Sequence, residues 1–336
     1  MRTILVVLLA IFFCLPVNAD SEQAIHYSNR TGGCALIIWQ NGRTLVETYQ
    51  NGGAPERREN LYSITKSLGA IGVFSAVGRS WLQLDQPASS ILMEWKSHSD
   101  KRTITIRQLL NQTSGLSPGF GTLYAKNLQN KEKRVLESPV NATAGKGFSY
   151  GPSHYEALEA VLARKLDRNP IAWINQSVLG RGENSDLLWR SDAQGRPFFS
   201  AGLKLTARDL LAVGHLVRRR GWRGISSVFP ASLVKQVEAG SSANAMYGMG
   251  FWLNRHAAKK EALERDIEQA LSLSLSSREW AASCLSRSAP SDLIVMAGSH
   301  GQRVYTSRSR NLVIVRLGRG GGFRDPDFLH AFFGNR

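Results

Sequence analysis

Ser63 and Lys66 stand three residues apart in the stretch LYSITKSLGA, a spacing that places them one helical turn apart on the same face. An amine held beside a hydroxyl in a dry site can lower the barrier to attack by the serine oxygen. The pair also has a structural interpretation, in which Ser63 caps a helix and Lys66 reaches to solvent. The spacing alone does not decide between them, because Ser232 and Lys235 repeat it.

The segments around this pair predict the elements that would position it. The run SITKSLGAIGVFSAVGRSWL predicts a helix, and apolar runs on both sides of Asn41-Gly42 predict a β-hairpin. Apolar periodicity predicts helices in SHYEALEAVLARKL and in LTARDLLAVGHLVRRRGW, where Thr206 would be the N-cap and Gly221 the stop. QRVYTSRSRNLVIVRLG predicts two strands, and DPDFLHAFF predicts a last helix, capped by Asp325 with Pro326 at its first position.

Strands at both ends of the chain with helices between them predict an α/β (α+β) fold. One sheet would be formed by the N- and C-terminal segments, about 24–80 and 245–336, with a mostly helical insertion at about 81–244. No composition shift marks an internal boundary, so a single domain is expected over 20–336. Between Leu128 and Gly147 the composition is polar, and an exposed loop is expected there.

The first 19 residues have the features of a secretory signal peptide. Arg2 precedes an apolar run from Ile4 to Leu15, and Val17-Asn18-Ala19 forms a cleavage site before Asp20. An uncleaved membrane anchor is the alternative, but the run is short for a span. No later stretch is long enough to cross a bilayer. The mature chain is therefore expected to be exported, periplasmic or extracellular, without a transmembrane span.

Cysteine content and charge limit the classes of partner. Cys34 and Cys284 would remain after cleavage, and they could form a disulfide or stay as separate buried thiols. No Cys and His grouping has metal-ligand spacing, so no metal or other cofactor is expected. The formal net charge of +16 favours an anionic partner such as a cell-wall polymer. The basic residues are dispersed and not interleaved with aromatics, which argues against specific nucleic-acid binding.

In their order along the chain, these segments resemble the serine β-lactamases and penicillin-binding-type hydrolases. The resemblance is to the class C-like branch, which also contains D-alanyl-D-alanine peptidases, esterases and amide hydrolases. LYSITKSL resembles the Ser-x-x-Lys box, and LQLDQPASSILMEW and ITIRQLLNQTSGL resemble the segments that follow it. FSYGPSHYEAL lies where the family has a Tyr-x-Asn box, and FFSAGLKLTARDLLAVGHLV, YGMGFWL and GSHGQRVYTSRSRNLVIVRLG resemble later segments. The resemblance covers roughly Ala35 to Gly318 and implies a β-lactamase/transpeptidase-like fold with an antiparallel sheet.

The resemblance implies an exported serine hydrolase acting on a small-molecule or peptide substrate. Ser63 would attack an ester or amide carbonyl, and water would then hydrolyse the acyl-enzyme. Lys66 and Tyr150 would share the proton transfers, and either could take the first proton. Literal Tyr-x-Asn matches begin at Tyr27 and Tyr49, but both precede Ser63, against the family order. Tyr150 is therefore the better candidate.

The sequence departs from the family at two boxes. Pro152 stands where the family has an asparagine, and neither a Lys-Thr-Gly nor a His-Thr-Gly box is present. The place of that third box falls in MAGSHGQ, where Gly298, Ser299 and His300 are expected on an edge strand facing the substrate. A backbone N–H there would be the second oxyanion donor. Without a lysine, carboxylate-bearing substrates lose a partner, which favours an esterase or amidase over a β-lactamase or D-amino-peptidase.

Two other interpretations of these residues are open. AGSHG resembles a nucleophile elbow, but the elbow needs a following helix, and a strand-like run follows here. A catalytically silent relative that binds cell-wall fragments is the second functional hypothesis. The changed second and third boxes and the basic charge motivate it.

Overall fold

A sheet built from both ends of the chain dominates the computed structural model, which describes residues 20–183 and 185–334. The expected signal peptide, residues 1–19, lies outside the described residues. The helices are α1 (Ser21–Arg30), α2 (Ile64–Gly78), α3 (Ile106–Leu110), α4 (Phe120–Leu123), α5 (Lys131–Leu136), α6 (Pro152–Leu166), α7 (Pro170–Trp173), α8 (Ala207–Arg218), α9 (Ala231–Ala239), α10 (Ile267–Ala270), α11 (Ser277–Ala281) and α12 (Asp325–Phe333). Short 3₁₀ helices span Ala88–Ser90 and Met93–Ser97, and a π-helical turn spans Ile174–Leu179.

The strands are β1 (Gly33–Gln40), β2 (Arg43–Tyr49), β3 (Glu59–Asn60), β4 (Lys204–Leu205), β5 (Trp222–Arg223), β6 (Ser226–Ser227), β7 (Tyr247–Gly248), β8 (Phe251–Leu253), β9 (Leu263–Glu264), β10 (Ser283–Cys284), β11 (Ile294–Gly298), β12 (Gln302–Ser307) and β13 (Leu312–Gly318). Within the described residues, seven of them form one sheet in the order β2-β1-β13-β12-β11-β8-β7. All neighbours in this sheet are antiparallel. The predicted fold class is confirmed, since β1 from the N-terminal part pairs with β13 from the C-terminal part.

The sheet is covered on both faces, and its central strands alternate between two apolar cores. Val313 and Val315 of β13 belong to the core that contains α2, α6 and α8. Leu312 and Ile314, one residue out of phase, belong to the core formed with α1 and α12 on the opposite face. A strand buried on both faces reads as a continuous apolar run, as LVIV does here.

Two local expectations, a hairpin turn and a helix cap, are confirmed. The hairpin turn at Asn41-Gly42 has the positive φ angles, 50° and 91°, that a two-residue turn of this kind requires. Thr206 caps α8 by accepting a hydrogen bond from the Asp209 N–H. Of the two alternatives for Cys34 and Cys284, the structure has separate buried thiols, which lie in different apolar clusters. No helix in the described stretches is both long and apolar enough to span a bilayer.

Three expectations are wrong. The segment between Leu128 and Gly147 is not simply an exposed loop, because it contains α5, and Lys131 is 0 % exposed. Asp325 does not cap α12, because it is the first residue of the helix and Arg324 is in the cap position. Its buried carboxylate instead accepts hydrogen bonds from the Ile267 N–H and the Arg303 side chain. β11 is not an edge strand, since it lies between β8 and β12.

Candidate active site

Ser63 directly precedes α2, with helical backbone angles. Its side chain forms no capping bond to the described residues of the helix, which leaves the hydroxyl available for chemistry. Lys66, one turn further, donates to the Ser63 Oγ over 3.0 Å and to the carbonyl oxygen of Ser200 over 2.8 Å. Lys66 is 1 % exposed, so it does not reach to solvent. Ser232 and Lys235, with the same spacing in α9, are both exposed.

The surroundings of Lys66 favour its neutral form. Burial lowers the pKa of Lys66 to about 7, and the negative charge of Glu156 only partly opposes this effect. A neutral amine has a lone pair that can accept a proton, whereas an ammonium has none. The Lys66 amine is therefore suited to act as a base near neutral pH.

Tyr150 lies beside this pair, two residues before the start of α6. The Lys66 Nζ is 4.8 Å from the centroid of the Tyr150 ring, and Tyr150 lines the same cavity as Ser63. Burial raises the pKa of Tyr150 to about 12, and the nearby Ser63 hydroxyl and the charge of Arg303 oppose this rise only in part. Tyr150 is therefore protonated at neutral pH and can donate a proton. The sequence prediction placed Ser63, Lys66 and Tyr150 in one site, and the structure brings them together.

The segment before α6 is held by an amide that the sequence analysis missed. Pro152 is the first residue of α6, where its missing N–H costs no helical hydrogen bond. Gln112, 0 % exposed, accepts from the Gly151 N–H over 2.8 Å and donates to the Tyr247 hydroxyl over 2.9 Å. Gln112 thus fixes the backbone next to Tyr150. Its signal in the sequence is weak, since the contact spans 39 residues.

Gly298, the last residue of β11, lies against the N-terminus of α2. A Cβ atom on Gly298 would come within 2.2 Å of the Leu61 carbonyl oxygen and 3.2 Å of the Ser63 nitrogen. This approach is possible because β8 pairs with β11 at Ile294 and Val295, which leaves the end of β11 open. Only a glycine permits such close contact between two backbones.

The backbone at this contact offers two donors. The N–H groups of Ser63 and Ser299 donate to no acceptor among the described residues. Two free N–H groups beside a nucleophile can hold the negative oxygen of a tetrahedral intermediate. His300 is exposed and its ring packs 4.8 Å from that of Tyr62, and it does not line the cavity over Ser63.

The cavity over Ser63 has a volume of about 230 Å³. Gly298 and Ser299 form one side of it, and five aromatic side chains line much of the rest: Tyr62, Phe120, Tyr124, Tyr150 and Trp252. Aromatic walls exclude water and strengthen charge interactions within the site. Over the described residues, no group of three or more His, Cys, Asp or Glu side chains could hold a metal ion.

A buried ionic cluster behind the site was also missed by the sequence analysis. Lys131 of α5 lies between two carboxylates of α6, 2.9 Å from Glu156 and 2.5 Å from Glu159, and all three side chains are 0 % exposed. Glu156 also accepts from the N–H and hydroxyl of Ser200, whose carbonyl oxygen accepts from Lys66. The cluster therefore holds the group that orients Lys66.

Gly298→Ala is expected to lower both the free energy of unfolding and kcat/KM. The added methyl group would overlap the Leu61 carbonyl and push β11 away from Ser63. A displacement of this kind costs about 1–3 kcal/mol and about 10²-fold in rate. Gly147→Ala is the matched control, since its Cβ would meet nothing within 4 Å. Denaturant unfolding and ester hydrolysis measure both quantities, and equal behaviour of the two variants would contradict the close-contact account.

Comparison with known proteins places the chain in a family and finds two relatives that are named as hydrolases. The Beta-lactamase family model matches residues 19–329. Esterase EstB from Burkholderia gladioli is 27 % identical over 175 residues, which are 44 % of this chain and 44 % of that esterase. The match thus spans less than half of EstB. The 6-aminohexanoate-dimer hydrolase from Paenarthrobacter ureafaciens is 22 % identical over 330 residues, which are 93 % of this chain and 77 % of that hydrolase.

The solved structures agree at the level of the fold. EstCE1, described as a hydrolase with promiscuous acyltransferase activity, superposes with a TM-score of 0.67 at 17 % identity, covering 95 % of this chain and 97 % of that one. The resemblance read from the ordered boxes is therefore confirmed for family and fold. The chain belongs to the Beta-lactamase family, and the relatives that it matches are named as hydrolases, among them an esterase.

Proposed function

We propose that this protein is an exported serine hydrolase that cleaves an ester or amide bond through an acyl-enzyme on Ser63. The observation that carries the proposal is the buried Lys66 amine, 3.0 Å from the Ser63 hydroxyl oxygen. A hydroxyl becomes a strong nucleophile when a base within hydrogen-bond reach takes its proton. The names of two relatives, an esterase and a 6-aminohexanoate-dimer hydrolase, support an ester or amide substrate.

In the proposed mechanism, neutral Lys66 takes the proton of Ser63 as the serine oxygen bonds to the carbonyl carbon. The N–H groups of Ser63 and Ser299 hold the resulting oxyanion. The leaving group takes a proton from the Tyr150 hydroxyl, and the Lys66 ammonium returns a proton to Tyr150. A water molecule then attacks the acyl-enzyme and gives its proton to Lys66, which passes it to the departing Ser63 oxygen.

The pH dependence of kcat/KM follows from the base. Because Lys66 must be neutral and its pKa is lowered to about 7, kcat/KM should fall about tenfold per pH unit below that value. His154 does not cause this fall of kcat/KM at acidic pH, since burial lowers the pKa of His154 to about 4. Tyr150, with a pKa raised to about 12, keeps its proton throughout. Rates for a p-nitrophenyl ester from about pH 5 to about pH 9 measure the profile. A flat profile would exclude Lys66 as the base.

A panel of p-nitrophenyl esters, anilides, lactams and D-amino peptides tests the proposed reaction. We expect turnover of at least one ester or anilide, with weaker turnover of carboxylate-bearing substrates. The rival proposal is a silent relative that binds an anionic cell-wall polymer through its charge of +16. Salt-dependent retention on isolated cell wall, together with no turnover of the whole panel, would support that rival.

Export is proposed from residues 1–19 alone. Expression of the full chain with this segment should yield a protein in the periplasm or medium whose first residue is Asp20. An N-terminal sequence that begins before this residue would contradict cleavage after Ala19.

A further inference from the structure

Glu268 places a carboxylate in the wall of the cavity over Ser63. It lies on α10, and its side chain is 40 % exposed. Its two oxygens accept from the backbone N–H groups of Gly301, over 2.9 Å, and His300, over 3.3 Å. These bonds direct the carboxylate toward the end of β11, next to the two proposed oxyanion donors.

Buried bonds hold α10 in this position. The Ile267 N–H donates to the Asp325 carboxylate over 3.1 Å, and the Asp325 N–H donates to Asp266 over 3.0 Å. Asp325 is itself 0 % exposed and is bonded to the Tyr305 hydroxyl over 2.6 Å. The carboxylate of Glu268 is thus carried by a fixed element, as a recognition group requires.

The accessible charge in the cavity is a carboxylate. Its described lining contains two charged side chains, Glu268 and Arg303. Arg303 is fully buried and forms two hydrogen bonds, of 2.8 and 2.9 Å, with the Asp325 carboxylate, and a third with the Gly298 carbonyl. Its weaker contact with Glu268 is 3.4 Å long. Arg303 is therefore paired mainly with Asp325, and the exposed carboxylate of Glu268 is only weakly neutralised.

We propose that the site selects substrates that carry an ammonium group close to the bond that is cleaved, and that Glu268 binds this group. This inference rests on the proposed hydrolase function. A partly desolvated carboxylate attracts a cation and repels a substrate carboxylate. The aromatic walls from Tyr62, Tyr150 and Trp252 suit a cation as well, because ring faces attract positive charge.

Three phenyl esters of phenylacetic acid, similar in size, test the selection. On the ring of the acid they bear a para aminomethyl, hydroxymethyl or carboxymethyl group, so the probes are cationic, neutral and anionic. For the wild-type protein we expect kcat/KM to favour the cationic ester over the neutral one by about tenfold or more, with the anionic ester slowest. Glu268→Gln should bring the ratio close to one, and Glu268→Lys should favour the anionic ester.

Glu261→Gln is the matched control. Like Glu268, Glu261 is an exposed carboxylate between β8 and β11, but it lies outside the cavity. This variant should keep the wild-type ratio. A wild-type protein without preference for the cationic ester, or a Glu268→Gln variant with the wild-type ratio, would overturn the inference.

Protection of Ser63 from a fluorophosphonate makes the same comparison without turnover. Benzylammonium should slow labelling of the wild-type protein more than benzoate does, and Glu268→Gln should remove this difference. Labelling of Ser63 with equal protection by both compounds would overturn the inference while leaving the hydrolase proposal standing. Absence of both labelling and turnover would instead overturn the hydrolase proposal on which the inference rests.

Discussion

Replacing Ser63 by alanine is expected to lower kcat/KM for an ester substrate by at least ~10³-fold, because the variant lacks the attacking oxygen. Residual hydrolysis would come from water activated by Lys66 and from the oxyanion donors, since the Ser63 N–H is unchanged. Folding should be retained, because the Ser63 side chain makes no cap bond to described residues of α2. Steady-state rates, with circular dichroism to confirm folding, give the measurement.

Ser232→Ala is the matched control for this prediction. Ser232 also precedes a lysine by three residues, but it is exposed on α9. Its loss should change kcat/KM by less than about twofold, since surface substitutions have small effects. Equal losses in both variants, or full activity of Ser63→Ala, would show that the Ser63 site is not the site of reaction.

Replacing Lys131 by methionine is expected to lower the free energy of unfolding by about 3–5 kcal/mol. Methionine has a similar volume but leaves the buried carboxylates of Glu156 and Glu159 without their shared cation. Catalysis should weaken as well, because Glu156 holds Ser200, which in turn orients Lys66. Urea unfolding at neutral pH measures the loss.

The stability that Lys131→Met loses should increase as the pH rises. Burial and the neighbouring carboxylates raise the pKa of Glu159 to about 7, although the positive charge of Lys131 opposes this rise. Removal of that charge should therefore raise the pKa of Glu159 further. A carboxyl with a raised pKa binds its proton more tightly when folded, so its stabilising effect is present at acidic pH and is lost as pH rises. The Lys131→Met deficit should therefore be smaller near pH 5 than near pH 8.

Lys133→Met is the control for the buried cluster, because this lysine is exposed on the same helix. It should change the free energy of unfolding by less than about 0.5 kcal/mol. Adding Glu159→Gln to Lys131→Met should recover part of the loss. A Lys131→Met variant as stable as Lys133→Met would contradict the structural role assigned to the cluster.

The core of the site could be predicted from the sequence because local spacing and order determine it. Ser63 and Lys66 are one turn apart in one apolar helix, so their contact follows from helix geometry once α2 forms. Tyr150 could be placed by its position before a strongly amphipathic helix, α6, in the order of segments typical of the family. The hairpin and the β12–β13 strands were likewise marked by local patterns.

The groups that support this core could not be predicted, because their contacts are distant in sequence. Lys131 meets Glu159 across 28 residues, and Gln112 meets Tyr247 across 135. A polar stretch such as the one containing Lys131 is typical of exposed loops, and only the facing carboxylates make its burial favourable. Asp325 has the sequence of a helix cap, yet Arg303 and Tyr305 use its carboxylate instead.

Glu268 illustrates the same limit for specificity. Its segment could not be assigned from the sequence, and its place in the cavity depends on the bonds that fix α10 to Asp325. The position of Gly298, by contrast, was expected near the substrate, although its strand is internal. The requirement for glycine there became evident from its contact with Leu61.

The central claim is that Ser63 is the nucleophile, and peptide mapping of a fluorophosphonate adduct tests it most directly. The wild-type protein is treated with the reagent, digested, and the modified residue is located by tandem mass spectrometry. We predict a single phosphonylated peptide with the adduct on Ser63, and none from the Ser63→Ala variant. An adduct on Ser299 or on any other residue, or undiminished labelling of Ser63→Ala, would contradict the account.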